Sequence, residues 1–414
     1  MAESYLTFNS VKERYKRIYF NYVCASYMDL MNKPAENTVI HLVSFNIPYP
    51  PDYGGVMDVF YKITALKQVG AGIILHCFTY GRSRSRTLEK ECLRVYYYRR
   101  DLNLFHMFRK DPFIVISRRS DLLLQHLLSD TNPILFEGLH TTSLLGHPAL
   151  EGRLKMVRTH NIEHLYYRNL AANEKNPFRR LFYTTEAKKL ERYEGVLARA
   201  SLLLTISPGD TEYFHSKYNN AIFVGPFHPV NKCSASDGKG NYVLLHGDFS
   251  TAENNAAAHY ILSEIAPRWK HRTILAGKRP SDELLRIASR MRHVKVVANP
   301  SQSQMNELIS NAQVCLLNAS QPTGMKLKLI NALCSGRHIV ASEPVVAGTS
   351  LENLCNIAHS TEEWISLTDN LMQQDFTLWM RSERDLALLR IADNTANAER
   401  IVKSIHNYGG PLWP

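Results

Sequence analysis

Short apolar runs alternate with helical patterns along most of this chain. Residues 39–45 are apolar and lead into a proline-rich loop, Pro48-Tyr49-Pro50-Pro51-Asp52-Tyr53-Gly54-Gly55. After Gly55, Val56, Val59, Phe60, Ile63 and Leu66 recur at helical spacing, and a second apolar run follows at 73–78. Strand, glycine turn, helix, strand is the opening of a parallel α/β unit. Strands are predicted next at 93–98, 134–136, 154–157 and 201–206, with helical patterns between them. Asn176-Pro177 supplies a cap and a first-turn proline for a long helix reaching about Ala198, and Ser207-Pro208-Gly209-Asp210 repeats that start signal. A second series places strands at 242–245, 273–276, 294–298, 314–317 and 338–341, each followed by a helix. Residues 362–372, 377–390 and 396–406 read as closing helices, long enough to return towards the first half.

Between 225 and 241 the composition shifts to Pro, Gly, Ser, Lys and Asp, which marks a linker. The expected fold is α/β, with two doubly wound Rossmann-like domains facing across a cleft. The expected parts are an extension over 1–36, a first domain over 37–225, a linker over 226–241, a second domain over 242–392, and a crossover helix and tail over 393–414. The cleft lies at the carboxyl ends of the strands, where ligands bind in such folds.

The length of 414 residues suits two domains of about 200 residues each. With 45% hydrophobic and 21% charged residues, the composition is that of a soluble globular protein. Seven cysteines lie scattered without a Cys-x-x-Cys pair, which predicts reduced thiols and a cytoplasmic home. No apolar run reaches the roughly 18–20 residues of a membrane span, and the first residues lack the layout of a signal peptide. The expectation is a chain neither exported nor membrane-spanning. The formal charge of +11 is uneven, since residues 1–225 hold 30 Lys and Arg against 21 Asp and Glu. A basic first half suits an anionic partner, either a membrane surface or a phosphorylated substrate. Nucleic acid is set aside, because no helix-turn-helix, zinc or aromatic RNA-binding signature accompanies the charge.

The most informative stretch is Thr323-Gly324-Met325-Lys326-Leu327-Lys328-Leu329-Ile330-Asn331-Ala332-Leu333-Cys334-Ser335-Gly336. It reads as a glycine turn opening a helix, with Lys326 and Lys328 in the first turn and a glycine past the end. Unpaired N–H groups and the positive dipole end attract phosphate there. Cations at this position oppose the dipole, so they serve a diphosphate better than they serve the helix. The alternative is an amphipathic helix with solvated lysines.

This stretch resembles the donor-site helix of GT-B glycosyltransferases of the bacterial family-4 type, Gly-x-Arg/Lys-x-Lys-x-x-Glu-Ala-x-x-x-Gly-x-x-Val. Val346-Ala347-Gly348-Thr349 resembles the loop that follows it, residues 242–249 resemble the strand opening the nucleotide domain, and 50–55 match the glycine loop. Thr159-His160-Asn161-Ile162-Glu163 and the segment 186–194 resemble a further pattern of these enzymes. The chain departs from the family at Asn331, where a carboxylate normally holds the ribose, and at Gly324, in place of a second glutamate. It departs again at Asp248, where an arginine normally follows Gly247, and at Asn254-Asn255, where a lysine is expected.

The resemblance implies transfer from a nucleotide-diphosphate sugar to a glycan or lipid-linked glycan, with retention at the anomeric carbon. Peripheral contact with an anionic membrane at its inner face would follow from a lipid-linked acceptor. The chain contains no Asp-x-Asp, so no metal or other cofactor is expected, and cations with helix N–H groups must stabilise the leaving diphosphate. Lys326 is assigned to that step, with His140, His160 and Glu163 as the other catalytic candidates. His140 is placed by the resemblance beside the donor sugar. Glu163 accepts the acceptor's proton or orients His160, its alternative being a helix cap. Gly54 and Gly55 permit positive φ and close backbone approach to phosphates, or form a turn only. The remaining donor-binding candidates are Gly247, Lys278, Asn299, Thr323, Gly324, Met325, Lys328 and Asn331; Thr323 has a helix cap as its alternative. Two rival functions are a nucleotide-sugar epimerase and a catalytically degenerate binding subunit.

Overall fold

The computed structural model describes residues 38–230 and 232–408. The extension expected over 1–36 lies outside them, as does the end of the tail. The first sheet contains β1 (Val39–Ser44), β2 (Gly72–Thr79), β3 (Arg94–Arg99), β4 (Ile134–Glu137), β5 (Lys155–Thr159), β6 (Leu202–Thr205) and β7 (Ala221–Phe223). Its order is β3-β2-β1-β4-β5-β6-β7, parallel throughout. The second sheet contains β8 (Val243–Asp248), β9 (Thr273–Lys278), β10 (Val294–Ala298), β11 (Val314–Leu317), β12 (His338–Ala341) and β13 (Asn356–Ile357). Its order is β10-β9-β8-β11-β12-β13, again parallel. Helices cover both faces of such sheets, so the central strands are apolar without alternation. β4, β11 and β12 are buried at every position.

The longer helices are α1 (Gly54–Gln68), α2 (Glu163–Asn173), α3 (Pro177–Tyr193), α4 (Pro208–Tyr218), α5 (Ala252–Tyr260), α6 (Asp282–Ser289), α7 (Gln302–Asn311), α8 (Leu327–Ser335), α9 (Thr361–Gln373), α10 (Leu378–Ile391) and α11 (Asn394–His406). Both start signals act as the sequence suggests. Asn176 accepts from the N–H groups of Phe178 and Arg179, and Ser207 accepts from that of Asp210. Two details differ. The helix opened by Asn176 ends at Tyr193 and continues as a 3₁₀ turn over Glu194–Arg199. The donor-type helix α8 starts at Leu327, so Lys326 is its N-cap and only Lys328 stands in the first turn. Gly324 at φ 71° turns the chain the other way and delays the helix.

The last helix crosses between the halves. Ala398, Ile401 and Val402 of α11 are buried with Ile40, Val59 and Ile63 of the first half, while α10 buries Leu388 and Ile391 in the core of the second. The crossing is fastened by backbone bonds. Gly225 N–H donates to Asn397 Oδ1 at 3.1 Å, His228 N–H donates to Asn394 Oδ1 at 3.0 Å, and Asn394 Nδ2 donates to the His228 carbonyl at 2.7 Å. Among the described residues, no helix is long and apolar enough to cross a membrane. Six cysteines there are unpaired, five of them buried.

Candidate functional site

In a doubly wound sheet the ligand crevice opens where the strand order reverses. In the first sheet that point lies between β1 and β4, and in the second between β8 and β11. The loops leaving these strands hold most of the candidate residues, and they meet. A side chain added at Gly324 would strike Asn161 Oδ1 and the His160 carbonyl, one added at Gly54 would lie 3.7 Å from Leu327 Cδ1, and Gly209 N–H donates to the Gly348 carbonyl at 2.9 Å. The two halves therefore join around the start of α8.

Lys326 and Lys328 stand at this junction. Lys326 Nζ donates to the Thr323 carbonyl at 2.6 Å, and Lys328 Nζ donates to the Asn318 carbonyl at 2.8 Å and to Asn254 Oδ1 at 3.3 Å. Burial lowers both ammonium groups from their ordinary range, against the pull of Glu253, and brings Lys328 down to about 8. Neither lysine makes an ion pair with a carboxylate among the described residues. Burial also raises Asp210, reaching across from α4 towards Gly324 and Lys326, to about 6. Met325 is buried in the second core, so only its backbone is available to a ligand. Thr323 does not cap α8, since Lys326 occupies that position; its buried hydroxyl has no hydrogen-bond partner.

Around the same point, His246 at the end of β8 is buried with Nε2 unpartnered, and burial beside Lys328 lowers it to about 4. Gly247 faces Asn254, whose amide donates to the Asp248 carbonyl at 3.1 Å. The Asp248 carboxylate accepts from Ser250 at 2.6 Å and pairs with Arg279 at 3.3 Å. Lys278 reaches over to the other half, donating to the Asp52 carbonyl at 3.2 Å. Asn299, at φ 52°, accepts from Arg279 N–H at 2.9 Å and so braces the turn after β9. Asn331 lies one turn further along α8, against buried His228 in the segment between the sheets.

On the first-half side, Gly54 and Gly55 already belong to α1 and neither uses the positive φ that glycine permits. Gly55 is required for space, because a Cβ there would lie 2.7 Å from Phe45 Cζ. His140 and Glu163 approach each other, with Nδ1 to Oε1 at 3.9 Å. Burial, helped by Arg118, drives His140 well down, while burial raises Glu163 to about 8 against the same arginine. Near neutral pH this is an uncharged imidazole beside a protonated carboxyl. The His140 Nδ1 has no hydrogen-bond partner among the described residues.

His160 belongs to a different cluster. Its Nε2 lies 3.0 Å from Glu137 Oε2, Lys62 Nζ bridges Glu137 at 2.7 Å and Asp58 at 2.9 Å, and Arg158 clamps Asp58 at 2.8 and 3.1 Å. Asp58, Glu137 and His160 offer ligand atoms within 4.8 Å of one another, the spacing of a metal site. The Lys62 ammonium already occupies the position between the two carboxylates. Burial alone would raise Asp58 and Glu137, but Arg158 and Lys62 on the first and Lys62 on the second outweigh it and hold both ionised.

Sequence reasoning missed Asp58, Lys62, Arg158, Asp210, Glu253 and Arg279. A signal was present for three of them. Arg158 places a charge inside a strand buried at every position, and Asp58 and Lys62 fall four apart on α1. A groove of about 910 Å³ adjoins the junction between α2, α3 and α5; Tyr166, Arg179, Tyr183, Ser250, Asn255 and Arg279 line it.

No family model matches the chain. A curated relative, described as an uncharacterized 44.6 kDa protein in the cps region of Klebsiella pneumoniae, is 23% identical over 331 residues, covering 75% of this chain and 84% of that protein. Among solved structures, a sucrose-phosphate synthase from Thermosynechococcus elongatus superposes with a TM-score of 0.62 at 13% identity, over 90% of this chain and 99% of that one. Anabaena HepE, solved in complex with UDP and glucose, gives 0.59 at 13% identity, over 90% of this chain and all (100%) of that one. A trehalose-6-phosphate protein from E. coli bound with UDP-2-fluoro glucose gives 0.58 at 11% identity, over 91% and 100%. The two-sheet arrangement shared with these structures is the GT-B fold.

Proposed function

We propose that this GT-B protein is a glycosyltransferase that moves a sugar from a nucleotide-diphosphate donor to a glycan or lipid-linked glycan. The observation that carries the reading is the pair of ammonium groups, Lys326 and Lys328, half-buried at the junction of the halves without a carboxylate at ion-pair distance. A half-buried cation with no carboxylate at ion-pair distance, acted on by Glu253 and Asp210 only from further off, suits an anion supplied from outside. The departing diphosphate is such an anion. Unpaired N–H groups at the start of α8 add to its stabilisation, and no step calls for a metal. His140 hydrogen-bonds a donor-sugar hydroxyl, and Glu163, in its ionised form, takes up the proton released by the acceptor. The reaction proceeds with retention.

Uridine diphosphate sugars are the first donors to test, because HepE was solved with UDP and glucose and the E. coli protein with UDP-2-fluoro glucose. The Klebsiella relative, placed in a cps region, supports a glycan acceptor. The chain works inside the cell, at the inner face of the membrane where the acceptor is lipid-borne. The test is nucleotide-induced thermal stabilisation followed by product analysis with donor and acceptor together. UDP or GDP should raise the melting point of the wild type and leave that of Lys326→Ala with Lys328→Ala unmoved. Equal stabilisation of both proteins would refute the assignment.

A second reading, a binding subunit without chemistry, is favoured by Asp248, whose carboxylate stands where the family carries an arginine. Its negative charge is directed at Ser250 and Arg279. Nucleotide binding without donor hydrolysis or transfer would select this alternative.

A further inference from the structure

We propose that residues 102–110 and the first turns of α3 form a docking surface for an anionic lipid bilayer, next to the groove between the halves. This rests on the glycosyltransferase reading only for its purpose, which is to bring a lipid-borne acceptor to the site. The apolar side chains here are unusually bare. Phe105, Phe108 and Phe178 are 76%, 84% and 83% exposed, and Leu104 and Leu181 are 67% and 66% exposed. Bare apolar side chains gathered on two linked elements mark an interaction site in a globular protein.

The surface is built, not frayed. The 3₁₀ turn Leu104–Phe108 buries none of its own residues, yet polar bonds hold it from beneath. Asn103 accepts from Phe105 N–H at 3.0 Å, His106 and Asp101 meet at 2.7 Å, and Lys189 of α3 donates to the Met107 carbonyl at 2.6 Å. The Phe113 N–H donates to Glu186 at 2.6 Å, and the Phe113 and Phe182 rings lie 6.3 Å apart. Phe178, Phe182, Glu186 and Lys189 share one stripe of α3, so the bare Phe178 ring continues the seam that fastens the turn. The backbone is anchored and the rings face outward.

Charge selects the partner. Arg109, Lys110, Lys175, Arg179 and Arg180 are exposed on or beside this surface, and none pairs with a carboxylate among the described residues. Of the nearby acids, Asp101 meets His106, Asp111 meets Arg119, and Glu174 accepts from the Asn176 N–H. Bare rings flanked by unneutralised cations suit the headgroup layer of an anionic membrane, where rings sit at the interface and cations meet lipid phosphates. Arg179 and Tyr183 also line the groove, so a bilayer on this face would sit at its mouth.

The experiment is co-sedimentation of the full chain with vesicles of phosphatidylcholine, with or without about one-third phosphatidylglycerol. Wild type should partition at least about tenfold better onto the anionic vesicles. Phe105→Ser with Phe108→Ser should lower that binding by about tenfold, and Arg109→Gln with Lys110→Gln by about twentyfold. Melting points should stay at the wild-type value, since all four side chains are exposed. Equal binding to both vesicle types, no binding to either, or binding unmoved by the two variants overturns the proposal. So does lipid-free self-association that the phenylalanine pair abolishes, which would make the surface a contact between copies. Nucleotide-induced stabilisation measured on the same variants in solution reports the donor site separately, so loss of one reading is not mistaken for loss of the other.

Discussion

The first half buries a pair of cations and the second holds a pair half-buried, and they treat them differently. In the first half, Lys62 and Arg158 face Asp58 and Glu137, all four fully buried, so the cluster is neutral within itself. In the second, Lys326 and Lys328 meet backbone carbonyls and an amide, and the charge is left open. The first pair holds structure together. Arg158 Nη2 donates to the Gly225 carbonyl at 2.9 Å, and Phe227 N–H donates to Asp58 at 2.9 Å, tying the sheet to the segment that leaves it. Its second guanidinium nitrogen donates to the carbonyls of Thr205 and Val224. In the proposed function, the second pair meets the leaving diphosphate. Burial of charge is therefore no guide to function until the partners are counted.

Substitutions can break this contrast in order of size. Asp58→Asn should cost about 3–5 kcal/mol of stability, because it leaves buried cations uncompensated. Urea unfolding measures this, and a loss under 1 kcal/mol would mean that the cluster is not structural. Lys326→Ala should leave the unfolding midpoint near that of wild type or above it, while lowering kcat/KM with a nucleotide sugar by about 2–4 kcal/mol. A matching loss of stability would place Lys326 with the structural pair. Gly324→Ala should cost about 1–2 kcal/mol from its left-handed backbone, and more where the added carbon meets Asn161 and the His160 carbonyl. Unchanged stability would show that the halves do not close on this turn.

The smallest effect is a pH dependence. Lys328 titrates near 8 when folded and at its ordinary 10.5 when unfolded. Its charge, and the affinity for nucleoside diphosphate that depends on it, is present below pH 8 and falls above it. Between 8 and 10.5 the unfolded chain holds the extra proton, so the contribution of this lysine to stability rises with pH over the same window. Calorimetry at pH 7 and pH 9 should show affinity falling severalfold in wild type and less in Lys328→Met.

Much of the alternation of strands and helices was legible, because strands buried on both faces leave unbroken apolar runs. The two strands that escaped are those too short to leave one. β7 has three residues and follows Asn219 in left-handed backbone, and β13 has two. The delayed start of α8 was hidden because caps are set by backbone angles, and Lys326 is an unusual cap whose identity carries no such signal. The charge cluster was hidden by distance. Glu137 and Arg158 lie 75 and 100 residues from their partners on α1, so no local pattern connects them. Lys326 and Lys328 stood out because both ends of their argument, glycine turn and helix, sit within one short stretch.

The return of α11 to the first half has a practical corollary for how this polypeptide can be divided. A cut made only between the sheets would strand Ala398, Ile401 and Val402 on the wrong fragment and bare the face of α1 that they cover. The two connections between the halves, near Gly225 and near Ile391, are tied to one another through the side chain of Asn397.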